Sequence, residues 1–181
     1  MRKVLYVLGQ LDDLDAQWLA RVGRKRRIAD GEAILRQDEP SGSVFLLIEG
    51  ELVVEVAGVG RVAVLQSGEI LGEMSFVDNA LPSATVIALG PATVLDVQKD
   101  ALNDKIEADA QFGVRFYRAI AMFLSDRLRS SQQRKASGGK VSLDNSAHSQ
   151  TDELEASLLD SVSIAGDRFD RLLRTLAAAR G

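Results

Sequence analysis

Apolar positions fall into three textures along the chain. From Leu11 to Gly23 they recur as Leu14, Trp18, Leu19 and Val22, the spacing of one helical face, with Gly23 as a stop. Asp12 or Asp13 is the expected cap, because a carboxylate accepts from the free amides of a first helical turn. From Arg24 to Gln98 short β-rich runs replace this period: Lys25–Ala29, Ala33–Arg36, Val44–Glu49, Glu51–Ala57, Arg61–Leu65, Ala84–Ala88 and Thr93–Val97. The breaks between them hold Asp30-Gly31, Pro40-Ser41-Gly42, Gly50, Gly58, Gly60, Ser67-Gly68 and Gly90-Pro91. Many short strands with turns at this spacing predict a sandwich or closed barrel, and no long helix interrupts them to favour a parallel sheet.

Helical spacing returns after Gln98. Asp100 opens a short helix through Ile106, and a longer one carries Phe112, Phe116, Ile120, Phe123/Leu124 and Leu128 at steps of three or four. That stripe must be buried; intrachain core is the plain reading, and a two-fold dimer seam is the functional alternative. Residues 135–150 are polar and glycine-rich and read as a flexible linker. Leu154, Leu158, Leu159 and Val162, then Phe169, Leu172, Leu173 and Leu176, predict a helical tail with Asp167 as a cap. The expected organisation is a helical segment over 1–23, a β-barrel over 24–98, a helical lid or dimer arm over 99–134, the linker, and a helical tail over 151–181.

Composition narrows the chemistry. The chain has 181 residues, 46% hydrophobic and 27% charged, which is ordinary globular material. It has no cysteine and one histidine, His148, in the linker. Disulfides, thiolate catalysis, multi-histidine metal barrels and a serine triad are therefore not expected. No signal pattern or membrane-length apolar run is present, so a soluble cytoplasmic protein is expected. Net charge is −4, but residues 38–100 hold ten acids with only Arg61 and Lys99, between two basic stretches. An anionic ligand there would need positive partners from elsewhere. The run Arg24-Lys25-Arg26-Arg27 is expected to alternate across an exposed strand rather than to mark a nucleic-acid surface.

The segment SGEILGEMSFVDNALPSATV, Ser67–Val86, is the most informative. It places Gly72-Glu73 before a short helix-compatible run, Met74–Val77, then a loop and a strand. Free amides at a helix start suit a phosphate, Glu73 can accept from a sugar hydroxyl, and Ser83 can donate to a phosphate oxygen. An ordinary barrel turn with a solvated carboxylate is the bland alternative.

This segment resembles the phosphate-binding cassette of the cyclic-nucleotide-binding domain family, which runs from Gly-Glu to Arg-(Ser/Thr/Ala)-Ala-(Thr/Ser)-Val. Here Gly72-Glu73 is followed at the same distance by Pro82-Ser83-Ala84-Thr85-Val86, with supporting marks at Gly31-Glu32, Val44–Gly50 and Phe116–Ala121. The resemblance spans roughly residues 5–133. It implies a double-stranded β-helix (jelly-roll) barrel, Glu73 on a ribose hydroxyl, and a phosphate cradle from the amides near Gly72, Glu73 and Ala84 with the Ser83 hydroxyl. It also implies a lid formed by the C-terminal helix. The candidate ligand-binding set is Gly72, Glu73, Met74, Ser75, Pro82, Ser83, Ala84, Arg129 and Ser131. Pro82 stands where the family has an arginine that pairs with the phosphate, a loss of about ten- to a hundredfold in affinity. Arg127 or Arg129 of the C-terminal helix, Arg61 or Arg36 would have to replace it.

The expected function is a non-catalytic signalling module for a cyclic nucleotide of the cAMP or cGMP type, with a homodimer through the C-terminal helix and a protein partner through the tail. The alternative is a ligand-free relic acting in assembly. A transcription regulator is disfavoured, because the tail is too short for a helix-turn-helix and slightly acidic, so direct DNA binding is not expected. No metal and no covalent cofactor are expected.

Overall fold

The computed structural model describes residues 9–136, 166–172 and 174–175. Helix α1 covers Asp13–Val22 and begins on the expected signal. Asp12 accepts from the Asp15 amide, Asp15 reciprocally accepts from the Asp12 amide, and Gly23 ends the helix. Strands β1 (Arg24–Ile28), β2 (Ala33–Leu35), β3 (Ser43–Val56), β4 (Gly60–Gln66), β5 (Ile70–Leu71) and β6 (Thr85–Gln98) follow, with α2 (Glu73–Val77) between β5 and β6. Two helices close the described core: α3 (Lys99–Ala108) and α4 (Ala110–Ala136).

The six strands make one antiparallel sheet, ordered β1-β6-β3-β4, with β2 on β6 and β5 on β3. β3 and β6 are 14 residues each and pair along their whole length. Each covers two of the runs that the sequence separates at Gly50 and at Gly90-Pro91. The chain bends there without ending the ladder: the register shifts between Leu47 and Glu51, and Gly50 adopts φ 93°. A side chain at Gly50 would stand 2.7 Å from the Pro91 carbonyl oxygen, so only glycine lets the two corners nest. Two half-sheets thus share the same two long strands and face each other as a β-roll. β1 and β4 remain edges.

Alternation along β3 sorts the core into two layers. Phe45, Leu47, Leu52 and Val54 point into the roll with Ile28, Leu35, Leu65, Leu71, Val86 and Val94. Val44, Leu46 and Ile48 point out, under the helices, with Leu19, Leu95, Val97, Leu102, Phe112, Phe116, Ile120 and Phe123. Both faces of the strand are covered, which is why Val44–Ile48 is an unbroken apolar run. Leu47 and Leu52 are fully enclosed, and truncating either to alanine costs about 2–5 kcal/mol.

The buried stripe of α4 is Phe112, Phe116, Ile120 and Phe123, so the aromatic face is intrachain core. Leu128 leaves that face and is exposed. α1 is fastened to α4 by Arg115, whose Nε and Nη2 donate to the two oxygens of buried Asp15 at 2.6 and 2.9 Å. The helical residues 166–172 return to α1: Leu172 is buried in the helical layer, and Arg168 and Arg171 donate to Asp13 at 2.8 and 2.6 Å. The basic run of β1 lies on an edge, with Arg24, Lys25 and Arg27 exposed and Arg26 paired to Glu32 at 2.7 Å. No helix among the described residues is long and apolar enough to cross a membrane. His148 and the linker beyond residue 136 lie outside the described residues.

Candidate functional site

β5 pairs with β3 at Phe45 and Leu46, and this delivers the chain to Gly72. Gly72 caps α2 in the left-handed region at φ 78°, and a Cβ there would meet the Ser43 carbonyl oxygen at 2.7 Å. The close approach of two backbones fixes where α2 starts. Glu73 is its first residue, not a loop residue before it, and is only 2% exposed. Burial raises the Glu73 carboxyl above its ordinary 4.5, and Arg127 pulls it back down.

Arg127 is the partner of Glu73: its Nη1 donates to Glu73 Oε1 at 3.0 Å across 54 residues of sequence. It continues the buried stripe of α4, one step of four beyond Phe123, and its guanidinium lies 5.5 Å from the Phe123 ring centre. Phe76 of α2 is buried against the same helix, edge-on to Phe116 at 5.7 Å and stacked with Tyr117 at 6.2 Å. The cassette helix is therefore held to α4 by one ion pair and one aromatic cluster.

Ser75 faces the other way. Its hydroxyl donates to the Gly72 carbonyl at 3.2 Å, and Lys99 donates to its hydroxyl and carbonyl oxygens at 2.9 and 3.1 Å. Burial lowers the Lys99 amine below its usual range, against the pull of Asp78. Met74 and Ser83 are exposed, and Ala84 packs at the margin of the roll interior. Pro82 is buried, and its carbonyl accepts the Asp38 amide at 2.9 Å, while the Thr85 hydroxyl accepts the Gln37 amide at 3.1 Å. The β2–β3 loop thus straps the end of the cassette.

Of the candidate residues, Gly72, Glu73, Met74 and Ser75 share the α2 turn, and Pro82, Ser83 and Ala84 follow on the loop entering β6. Arg129 is exposed on α4, two residues past the arginine that meets Glu73, and Ser131 lies a further half turn on. Sequence reasoning offered Arg127 and Arg129 together; the buried stripe singles out the first, since 116, 120, 123 and 127 share a face. Lys99 was passed over as a ligand of the cassette, because nothing in its local sequence marks it. Among the described residues no cluster of His, Cys, Asp and Glu is arranged to hold a metal.

A bent two-sheet roll, a five-residue helix opened by Gly-Glu, and a long helix across it define the class of cyclic-nucleotide-binding β-rolls. Residues 25–109 match the cyclic nucleotide-binding domain family. Among solved structures, the fold is similar to a cyclic nucleotide-binding domain from Methylobacillus flagellatus, with TM-score 0.67 and 20% identity over 78% of this chain and 85% of that one. It is also similar to the catabolite activator protein of Thermus thermophilus, with TM-score 0.57 and 18% identity over 93% and 85%. The regulatory domain of Toxoplasma gondii PKA, solved with cAMP, matches at TM-score 0.54 and 22% identity over 71% and 47%. Uncharacterized NTE family proteins of Mycobacterium bovis and Mycobacterium tuberculosis are 27% identical over 157 residues, 86% of this chain. The chain spans 27% of the length of those relatives.

Proposed function

We propose that this domain is a non-catalytic cytoplasmic sensor for a cyclic nucleotide of the cAMP or cGMP type, and that occupancy is relayed through α4. The observation that carries the reading is the double attachment of α2 to α4, by Glu73 to Arg127 and by Phe76 to Phe116 and Tyr117. A ligand seated on Gly72 and Glu73 shifts the cassette helix, and a shift there changes how α4 lies, which is a population change between two arm positions. Supporting chemistry is the carboxylate of Glu73 at the start of the cassette helix, a group able to accept from a sugar hydroxyl. Calorimetry on the full chain with cAMP, cGMP and cyclic dinucleotides tests it. Binding in the micromolar range or tighter is expected; silence from all of them at high micromolar concentration refutes it.

Dimerisation through α4 is part of the same proposal. Val114, Tyr117, Ala121, Leu124 and Leu128 recur at alternating steps of three and four along the margin of the buried stripe; Val114, Tyr117, Ala121 and Leu128 are exposed, while Leu124 packs partly on the helical core and Tyr117 also stacks on Phe76. That spacing suits a two-stranded coiled coil. Leu128→Glu is expected to convert a dimer to a monomer in sedimentation velocity. A partner engaging the tail has to compete with α1 for Leu172 and the two arginines. The second reading, a ligand-free assembly module, draws on Pro82, which is buried and offers no donor where the family carries its arginine. It is favoured over the first if Glu73→Ala leaves partner binding unchanged and no nucleotide shifts the melting temperature.

A further inference from the structure

Arg127 is placed to do more than neutralise Glu73. A guanidinium has five N–H donors in a planar fork. One of them, on Nη1, is used on Glu73 Oε1, and among the described residues the others make no hydrogen bond. The side chain is 30% exposed while its carboxylate partner is 3% exposed, so the free edge of the fork is the part that meets solvent. The ring of Phe123, itself fully buried, lies beneath the guanidinium and limits where it can swing. The group is thus held at one side and open on the other.

The other cations near the cassette are committed or turned away. Lys99 is spent on Ser75 at the far side of α2. Arg36 is 61% exposed and stands 4.0 Å from Glu39. Arg61 lies exposed on the β4 edge, and Arg129 is exposed past the turn that reaches α2. An anion brought beside Glu73 without a cation would face a carboxylate in a poorly solvated place, where like charges repel most strongly. It needs a donor that already touches Glu73.

We propose that Arg127 is the phosphate-binding arginine of this domain: one edge of its guanidinium stays on Glu73, and the open edge receives the cyclic phosphate. This rests on the cyclic-nucleotide reading and adds to it the residue that supplies the charge. The cation rides on α4 and not on the cassette. The ligand itself therefore fastens the arm, and affinity and arm position are linked reciprocally.

The test is calorimetric titration of the full chain with cAMP and with adenosine, its phosphate-free counterpart. Wild type is compared with Arg127→Ala, Arg127→Lys and the exposed α4 control Arg118→Ala, each checked for folding by circular dichroism and thermal melt. A charge-assisted hydrogen bond corresponds to about a ten- to hundredfold change in affinity. Arg127→Ala is expected to weaken cAMP by that factor and adenosine by less than about threefold. Arg127→Lys, which keeps the charge and the fold, should recover part of the loss, and Arg118→Ala none of it. If wild type binds cAMP and Arg127→Ala stays within about threefold, the arginine assignment is overturned while the sensor reading stands. The assignment also fails if adenosine and cAMP weaken equally. Silence of wild type toward every cyclic nucleotide overturns both.

Discussion

Replacing Glu73 by glutamine tests the electrostatics of the cassette without a ligand. The carboxylate is 2% exposed and has one cation, Arg127, which is itself partly solvated. Desolvation is the larger influence on Glu73, and attraction to Arg127 the smaller. Exchanging a buried ion pair for uncharged residues is often neutral or stabilising by about 1–4 kcal/mol. Glutamine keeps the shape, and its amide oxygen can still accept from Arg127, whose charge is already partly solvated. Glu73→Gln is therefore expected to leave stability unchanged or raise it by about 1 kcal/mol at pH 7. The pH dependence carries a sign. A carboxyl held above its ordinary 4.5 takes up protons on folding, so its contribution is full below pH 4.5 and fades as pH rises through the folded value. Urea denaturation from pH 4 to pH 8 should show the variant gaining on wild type across that rise. A variant less stable than wild type by more than about 1 kcal/mol at pH 7, or a difference that ignores pH, refutes the reasoning. Loss of ligand affinity in the same variant would show a site kept at the expense of stability.

Three further outcomes follow from the same structure. Gly72→Ala forces a left-handed residue and a 2.7 Å contact with Ser43, so a loss of about 2 kcal/mol or more is expected in denaturant melts. Arg115→Ala leaves the 2%-exposed Asp15 without its two-point partner, and about 3 kcal/mol is expected, near the low end for a broken buried pair because Arg115 is partly solvated. Asp13 is held below its ordinary 3.8, chiefly by its hydrogen bond from Arg168, with Arg171 adding to it. Its contribution is present above pH 3.8 and lost as pH falls through the depressed value, so proteolytic protection of residues 166–172 should fall in acid, and Asp13→Asn should remove it at pH 7.

The parts of the fold legible in the sequence are those set by local chemistry. The capping box at Asp12, the stop at Gly23, and the period of Phe112, Phe116 and Ile120 each depend on neighbours within a turn. The strands at Val44 and Thr93 were legible, but their continuity with the next runs was not. A glycine at a corner and a glycine at a chain reversal look alike until the partner strand is placed. The cassette was legible through the spacing of Gly72-Glu73 and Ser83-Ala84-Thr85. Its contacts with Arg127 and Lys99 were not, since each depends on how a helix lies across the roll. Arg168 and Arg171 meeting Asp13 across more than 150 residues had no local signature.

Because β3 and β6 thread both halves of the roll, the molecule behaves as one woven strip. A one-residue slip on either side would carry both corners out of place and turn Phe45 and Leu47 toward the helices. Sequence inserted at Gly50 or at Gly90 would have to undo that weave. Residues 58 and 59, at the exposed tip of the hairpin between β3 and β4, touch no such crossing. A reporter or affinity handle grafted there is expected to leave the roll and its arm undisturbed.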